Sequence, residues 1–202
     1  MGPWSLGGGH YLLRVFACLG CAYNLCMHIR AATEADLPAI LAITNDAILH
    51  TTALWYNDPL TLENRRQWFL ERTSRKFPVL VGELDNQVAA FASFGPFRSA
   101  PGYDQTVEHS IYVAPAFHRR GLGTMLLHQL IARASELDLH AMIGCIDASN
   151  SPSIDFHKKH GFRTVGLLPQ VGKKFNRRLD LLIMQLTFAP VEDAGGDLDL
   201  PR

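Results

Sequence analysis

Glu108-His-Ser-Ile-Tyr-Val-Ala-Pro-Ala-Phe-His-Arg-Arg-Gly-Leu-Gly-Thr124 decides how this chain is read. Its first half is an apolar strand. A turn with two arginines and two glycines follows. The turn opens a segment with apolar residues at Leu122, Met125, Leu126, Leu130, Ile131, Ala134 and Leu137, a spacing that predicts a helix. Glycines let successive N–H groups point into one concavity, and a helix N-terminus adds positive potential, so the stretch predicts an anion site built from backbone. The glycine spacing is not the GxxxxGK(S/T) of a nucleotide triphosphatase, and no GxGxxG follows a strand. A glycine turn this short also arises by chance at helix starts, so its surroundings carry the argument.

The chain has 202 residues, 48% of them hydrophobic, which predicts one globular domain with a full core. The formal net charge is zero, which argues against a general polyanion binder, and no nucleic-acid partner is expected. Cys18, Cys21 and Cys26 crowd the N-terminus and Cys145 falls in a predicted strand, which makes no disulfide framework. Cys18-Leu-Gly-Cys21 has redox-motif spacing without a βαβ context, and one thiol pair makes a poor structural zinc site. All four are read as reduced thiols, and no metal is expected.

Residues 1–26 are glycine-rich and then apolar from Tyr11 to Cys26, with Arg14 interrupting. The run is short for a bilayer span. It lacks the charged n-region and small-x-small cleavage site of a signal peptide. Domain patterning begins at Met27, so 1–26 are expected to be an upstream extension, with Met27 the true start, and no membrane partner is expected. The domain is expected over 27–188, and the acidic, Gly/Pro-containing residues 189–202 are expected to be a mobile tail.

Between these limits helices and strands alternate. A strand at His28–Ala31 leads to Thr33-Glu-Ala-Asp36, a capping-box-like start, and to a helix with Leu37, Ile40, Leu41, Ile43, Thr44, Ala47 and Ile48 on one face. The loop Thr51–Pro59 carries Trp55 and Tyr56. A second helix is expected from Thr61 to about Lys76, with Trp68 and Phe69 inward. Strands Val79–Leu84 and Val88–Gly95 flank Asp85-Asn86, a hairpin signal. A Pro/Gly/Ser-rich loop, Phe97–Gln105, precedes strand Val107–Val113 and the anion turn. Ala141–Asp147 reads as a central strand. Asn150-Ser-Pro-Ser153 caps a fourth helix ending at Gly161, and strands near Phe162–Leu167 and Leu179–Thr187 close the domain. This order predicts an α+β domain, a mixed sheet with helices on both faces.

The glycine turn resembles the (Gln/Arg)-x-x-Gly-x-(Gly/Ala) pyrophosphate loop of the GNAT N-acetyltransferases, which bind acetyl-coenzyme A, with His118 where the family usually has Gln or Arg. The element order is similar to the GNAT fold over about 28–188, which implies six to seven strands. Five blocks narrow the likeness: Ala92-Ser-Phe-Gly-Pro-Phe-Arg98, Thr106-Val-Glu-His-Ser-Ile-Tyr-Val113, Arg120-Gly-Leu-Gly123, Asn150-Ser-Pro-Ser-Ile-Asp-Phe-His157, and Val171-Gly-Lys-Lys-Phe175 with Leu179-Asp-Leu181. Together they resemble the phosphinothricin and methionine sulfoximine N-acetyltransferases. Asn176 and Arg178 replace the Gly and Trp of that group, which leaves the shape of the acceptor pocket open. The resemblance implies acetyl-CoA as co-substrate and a small amino-acid acceptor in the cytoplasm. It also implies a homodimer, for which the Trp and Phe of the second helix would suit an interface. The alternatives are an acetyltransferase for protein N-termini or other amines, and a CoA-binding sensor without turnover.

The resemblance also distributes roles. Glu108 would take the acceptor's proton; alone it reads equally well as a solvated strand-end carboxylate. His157, two turns after Asn150, would protonate the sulfur or relay a proton; otherwise it is a helix-surface histidine beside Lys158 and Lys159. His109 alternates to the other side of the strand from Glu108 and reads as structural or substrate-lining. The backbone of Ile111, Tyr112 and Val113 would pair with the pantetheine arm. Arg119, Arg120, Gly121, Leu122, Gly123 and Thr124 would hold the pyrophosphate. Asn150 would bond a pantetheine amide and is equally a simple N-cap. Acceptor contacts would fall on Arg98, Ser99, Ala100, Glu108, His109 and Ser110, with Arg98 clamping a carboxylate. The basic run Lys173–Arg178 either adds potential near the pocket or is a solvated loop.

Deleting residues 1–26 is expected to leave folding and activity intact. Soluble yield and specific activity of the shortened chain check this, and an insoluble or inactive product would contradict it.

Overall fold

The computed structural model describes residues 27–188. Seven strands form one sheet: β1 (Met27–Ala31), β2 (Val79–Leu84), β3 (Gln87–Pro96), β4 (Thr106–Val113), β5 (Ala141–Asp147), β6 (Arg163–Lys174) and β7 (Arg177–Thr187). Their order is β1-β2-β3-β4-β5-β7-β6. All neighbours are antiparallel except β4 and β5. Four helices accompany the sheet: α1 (Leu37–His50), α2 (Leu62–Ser74), α3 (Leu122–Glu136) and α4 (Ser151–Lys159). The mixed sheet and the helix order agree with the sequence-based expectation. The extension and tail assigned to 1–26 and 189–202 lie outside the described residues, as do Cys18, Cys21 and Cys26.

Side-chain alternation along the strands divides the core. Leu80, Ala90, Ala92 and Phe94 join Leu122, Leu126, Leu127 and Leu130 of α3 on one face. Val79, Val81 and Phe91 join Leu37, Ile40 and Ile43 of α1 and Phe69 of α2 on the other. Trp68 packs edge-on to Phe91, 6.1 Å between ring centroids. The aromatic pair of α2 therefore serves this chain's own core. It is not the exposed interface the sequence suggested.

Local signals set the boundaries. Asp85 and Asn86 both take positive φ, 53° and 61°, as a two-residue hairpin turn requires. Thr61 accepts from the Asn64 N–H at 3.2 Å while its own N–H donates to the Asn64 side chain at 3.0 Å, closing a capping box on α2. Gly161, at φ 87°, lets the Phe162 N–H reach the His157 carbonyl at 3.1 Å and ends α4.

The last hairpin departs from expectation. β6 runs seven residues past Leu167, because Pro169 and a positive-φ Gln170 sit in a bulge between Leu168 and Gly172 that an edge strand tolerates. Its turn is Phe175-Asn176, so Lys173–Arg178 is a hairpin tip and not a solvated loop. Lys174 is 3% exposed, and its ammonium donates to the carbonyls of Thr51, at 2.7 Å, and Leu54. Beside it Trp55 lies flat against Gly172, where a Cβ would overlap the ring. The hairpin thus pins the loop between α1 and α2.

Gly172→Ala is expected to push Trp55 out of its seat and lower stability by about 1–3 kcal/mol, the usual cost of overpacking. Thermal or urea unfolding reads this, and an unchanged midpoint would mean that the loop repacks freely.

Candidate active site

β4 and β5 pair over three residues only, Thr106↔Ala141, Val107↔Met142 and Glu108↔Ile143. Beyond Glu108 they part. On its other edge β4 stays paired with β3 to Val113. The Phe97 N–H donates to the Thr106 carbonyl and the Ala114 N–H to the Ala89 carbonyl, so even-numbered β4 residues bond β3. Odd-numbered Ile111 and Val113 turn their backbone groups into the gap. The Tyr112 backbone is spent on β3, so of the three residues named from the sequence only these two present backbone there.

The gap opens into a cleft of about 710 Å³. Its walls include the loop Ala53–Trp55, the strand segment 108–113, Gly144 to Asp147 of β5, Asn150 and Ser153 at the start of α4, and His157 in its last turn. Of the glycine turn, His118, Arg119 and Gly123 line it. Arg119 takes φ 60° and Gly121 φ 85°, a left-handed pair that gathers N–H groups ahead of α3. Leu122 is core, 1% exposed, and only its backbone faces the turn. Arg120 stacks over Phe117. His118 turns back: its Nε2–H donates to the Val113 carbonyl at 2.9 Å, tying the turn to the strand end. These donors fit a pyrophosphate and an extended amide chain. Asn150 caps α4 by accepting the Ser153 N–H at 3.2 Å and also lines the cleft.

Glu108 occupies the fork. Its cross-strand partner is Gly95, and the Arg72 guanidinium from α2 lies where a Gly95 side chain would be, so the cation sits beside the carboxylate. Glu108 is exposed at the cleft, and only partial loss of solvent holds its carboxyl above its ordinary range, while a hydrogen bond from Cys145 and the charges of Arg98 and Arg72 pull the other way. Burial and the same carboxylate push the Cys145 thiol up to about 12. Cys145 is therefore a protonated donor and not a nucleophile.

Arg98, stacked on the Phe97 ring at 4.9 Å, reaches Glu108 electrostatically; Ser99 and Ala100 are exposed on the loop after it. None of the three lines the main cleft, whereas Ser110 does. His109 points to the opposite face from Glu108, as alternation requires. There it meets His157, Nε2 to Nε2 at 3.2 Å. His157 is buried and not on the helix surface. Sequence reasoning missed Arg72, Cys145 and the Ala53–Trp55 wall, none of which carries a local motif. Among the described residues no cluster of His, Cys, Asp or Glu could hold a metal ion, and no helix is long and apolar enough to cross a membrane.

The Acetyltransferase (GNAT) family matches residues 40–162. The chain belongs to this family and is an N-acetyltransferase. The L-methionine sulfoximine/L-methionine sulfone acetyltransferase of Pseudomonas paraeruginosa is 46% identical over 167 residues, 82% of this chain and 97% of that protein. Among solved structures, a ribosomal-protein-alanine N-acetyltransferase from Brucella melitensis matches with a TM-score of 0.78 at 49% identity, over 79% of this chain and 99% of that one. A Salmonella typhimurium acetyltransferase with its cofactor acetyl-CoA matches with a TM-score of 0.79 at 44% identity, over 85% and 98%.

Arg72→Leu removes a cation that lowers the Glu108 pKa, so the carboxyl is expected to titrate at still higher pH. A carboxyl-carbon NMR titration checks the direction; a downward shift would contradict the proximity.

Proposed function

We propose that this chain transfers acetyl from acetyl-CoA to the α-amine of a small amino acid such as methionine sulfoximine, methionine sulfone or phosphinothricin. The observation that carries the reading is a carboxylate, Glu108, at the fork where β4 frees its backbone edge. Acetyl-CoA would supply the activated acetyl and a thiolate leaving group. Ile111 and Val113 would pair with its pantetheine arm, and one of their N–H groups would polarise the thioester carbonyl. Arg119 to Thr124 would cradle the pyrophosphate, and Asn150 would meet a pantetheine amide.

Glu108 would hold the acceptor ammonium and take its proton, directly or through water. A carboxyl raised above its usual range is a better base once ionised, and the charges of Arg72 and Arg98 favour its ionised form. His157 would serve the proton that ends on sulfur. Arg98 would clamp the acceptor carboxylate, with Ser99, Ala100 and Ser110 around it; His109, turned to the opposite face against His157, would not touch the acceptor. The name of the Pseudomonas relative supports the acceptor class. That of the Brucella structure favours a second reading, a protein N-terminal amine. A cytoplasmic homodimer completes the proposal, in keeping with a cytosolic co-substrate and with small-substrate members of the family.

Thiol release from acetyl-CoA, measured across an amino-acid panel and an alanine-initiated peptide, tests the reading. Turnover of the peptide alone would transfer the proposal to the second acceptor, and no turnover at all would defeat it. Arg98→Ala is expected to raise KM for the amino acid by roughly ten- to a hundredfold, the loss of a charge-assisted bond, with KM for acetyl-CoA little changed. Equal effects on both would point to a structural arginine. Glu108→Gln is expected to lower kcat by about two orders of magnitude and abolish the rise of rate with pH through the carboxyl's raised pKa. A near-normal kcat at saturating amino acid would move the base elsewhere.

A further inference from the structure

His109 and His157 are 48 positions apart, yet their rings stand 5.1 Å centroid to centroid on the cleft floor. Their partners decide where the ring hydrogens sit. His157 Nδ1 is 2.6 Å from the Ser153 carbonyl, which can only accept, so Nδ1 carries a hydrogen. A neutral imidazole has one N–H, which leaves His157 Nε2 as a lone pair. His109 Nε2, 3.2 Å away, must then donate to it. His109 Nδ1 has no partner among the described residues. In this arrangement that atom is a bare acceptor, a smaller cost than a buried, orphaned N–H.

The surroundings keep the pair neutral. The rings are 8% and 7% exposed. Phe162 packs against both, at 5.3 and 5.1 Å. Gly144 of β5 leaves them room: a Cβ there would come within 3.2 Å of His109 Nε2 and 3.4 Å of His157. The titratable groups acting on them are each other and His160, one turn along α4, whose Nδ1 is 2.7 Å from the Phe156 carbonyl. Glu108 faces the other side of the sheet. Burial lowers both imidazole pKa values.

We propose that His109 is a positioning residue: its Nε2–H fixes the His157 tautomer, so that His157 enters the reaction as a proton acceptor and becomes the acid only after it has taken a proton. This rests on the acyl-transfer reading above. An ammonium has three N–H bonds and the amide product has one, so two protons leave nitrogen. The C–N bond forms, the C–S bond breaks, and its electron pair stays on sulfur. Glu108 takes one proton. The other passes to His157 Nε2 as the His109 N–H lets go of that lone pair, then goes on to sulfur, and the histidine pair re-forms neutral as it began.

The test labels the full chain with 15N-histidine and reads long-range 1H–15N correlations near neutral pH. His157 should carry its hydrogen on Nδ1 and His109 on Nε2; a hydrogen on His157 Nε2 overturns the proposal. His109→Phe removes the donor that favours neutral His157. It should raise the His157 titration midpoint by about 0.5–1 pH unit, and lower kcat about tenfold with KM little changed. His109→Gln keeps an N–H donor and should largely restore both. A Phe variant with an unshifted midpoint and pH profile refutes the role. The NMR reading needs no turnover and no variant. If no amine is acetylated, the acyl-transfer reading falls while the tautomer assignment is still decided.

Discussion

The parting of β4 from β5 is the constraint on which the molecule depends. Two parallel strands share three residue pairs and then diverge, leaving backbone groups of Ile111 and Val113 without a strand partner. Unpaired groups inside a sheet are costly unless water or a ligand satisfies them. The divergence is maintained from both sides. The β3 ladder holds β4 straight, and β7 holds β5 along its full length. The glycine turn follows directly from the end of β4, and His118 anchors it to the Val113 carbonyl. The open edge and the N–H cradle are therefore one continuous surface.

Charge is arranged around that fork with little slack. Glu108 keeps part of its solvent and has two guanidinium neighbours and a thiol donor. The cations cannot approach it freely, since Arg72 is held in the hollow over Gly95 and Arg98 lies on Phe97. Held at a distance, they tune the carboxylate without neutralising it in a tight ion pair. On the opposite face the histidine pair is buried, which lowers both imidazole pKa values. Glu108 and His109, adjacent residues of β4, thus face different environments.

The wall facing the cleft from the α1–α2 side has a distant support. Lys174 and Gly172, on the edge hairpin, hold the carbonyls of Thr51 and Leu54 and the ring of Trp55. A buried ammonium is stable only when hydrogen-bonded, so the loop and the hairpin must be ordered together. This couples the cleft to the tip of the β6–β7 hairpin, which carries Asn176 and Arg178.

Much of this was legible in the chain alone. Period-two and period-3.6 patterns gave the strands and helices, Asp85-Asn86 and Gly161 gave turns, and the glycines after His118 marked the left-handed turn ahead of α3. Alternation alone placed Glu108 and His109 on opposite faces. Local sequence carries such information because it is written in the spacing of neighbours. The extent of β6 was hidden by Pro169 and Gly172, whose local preference is overridden at a sheet edge. What only the tertiary structure decided are contacts across the fold: His109 with His157, Arg72 over Gly95, and Lys174 beneath Thr51, which is 123 positions away. No periodicity encodes such pairs, because each depends on how two separately determined elements come to rest against one sheet.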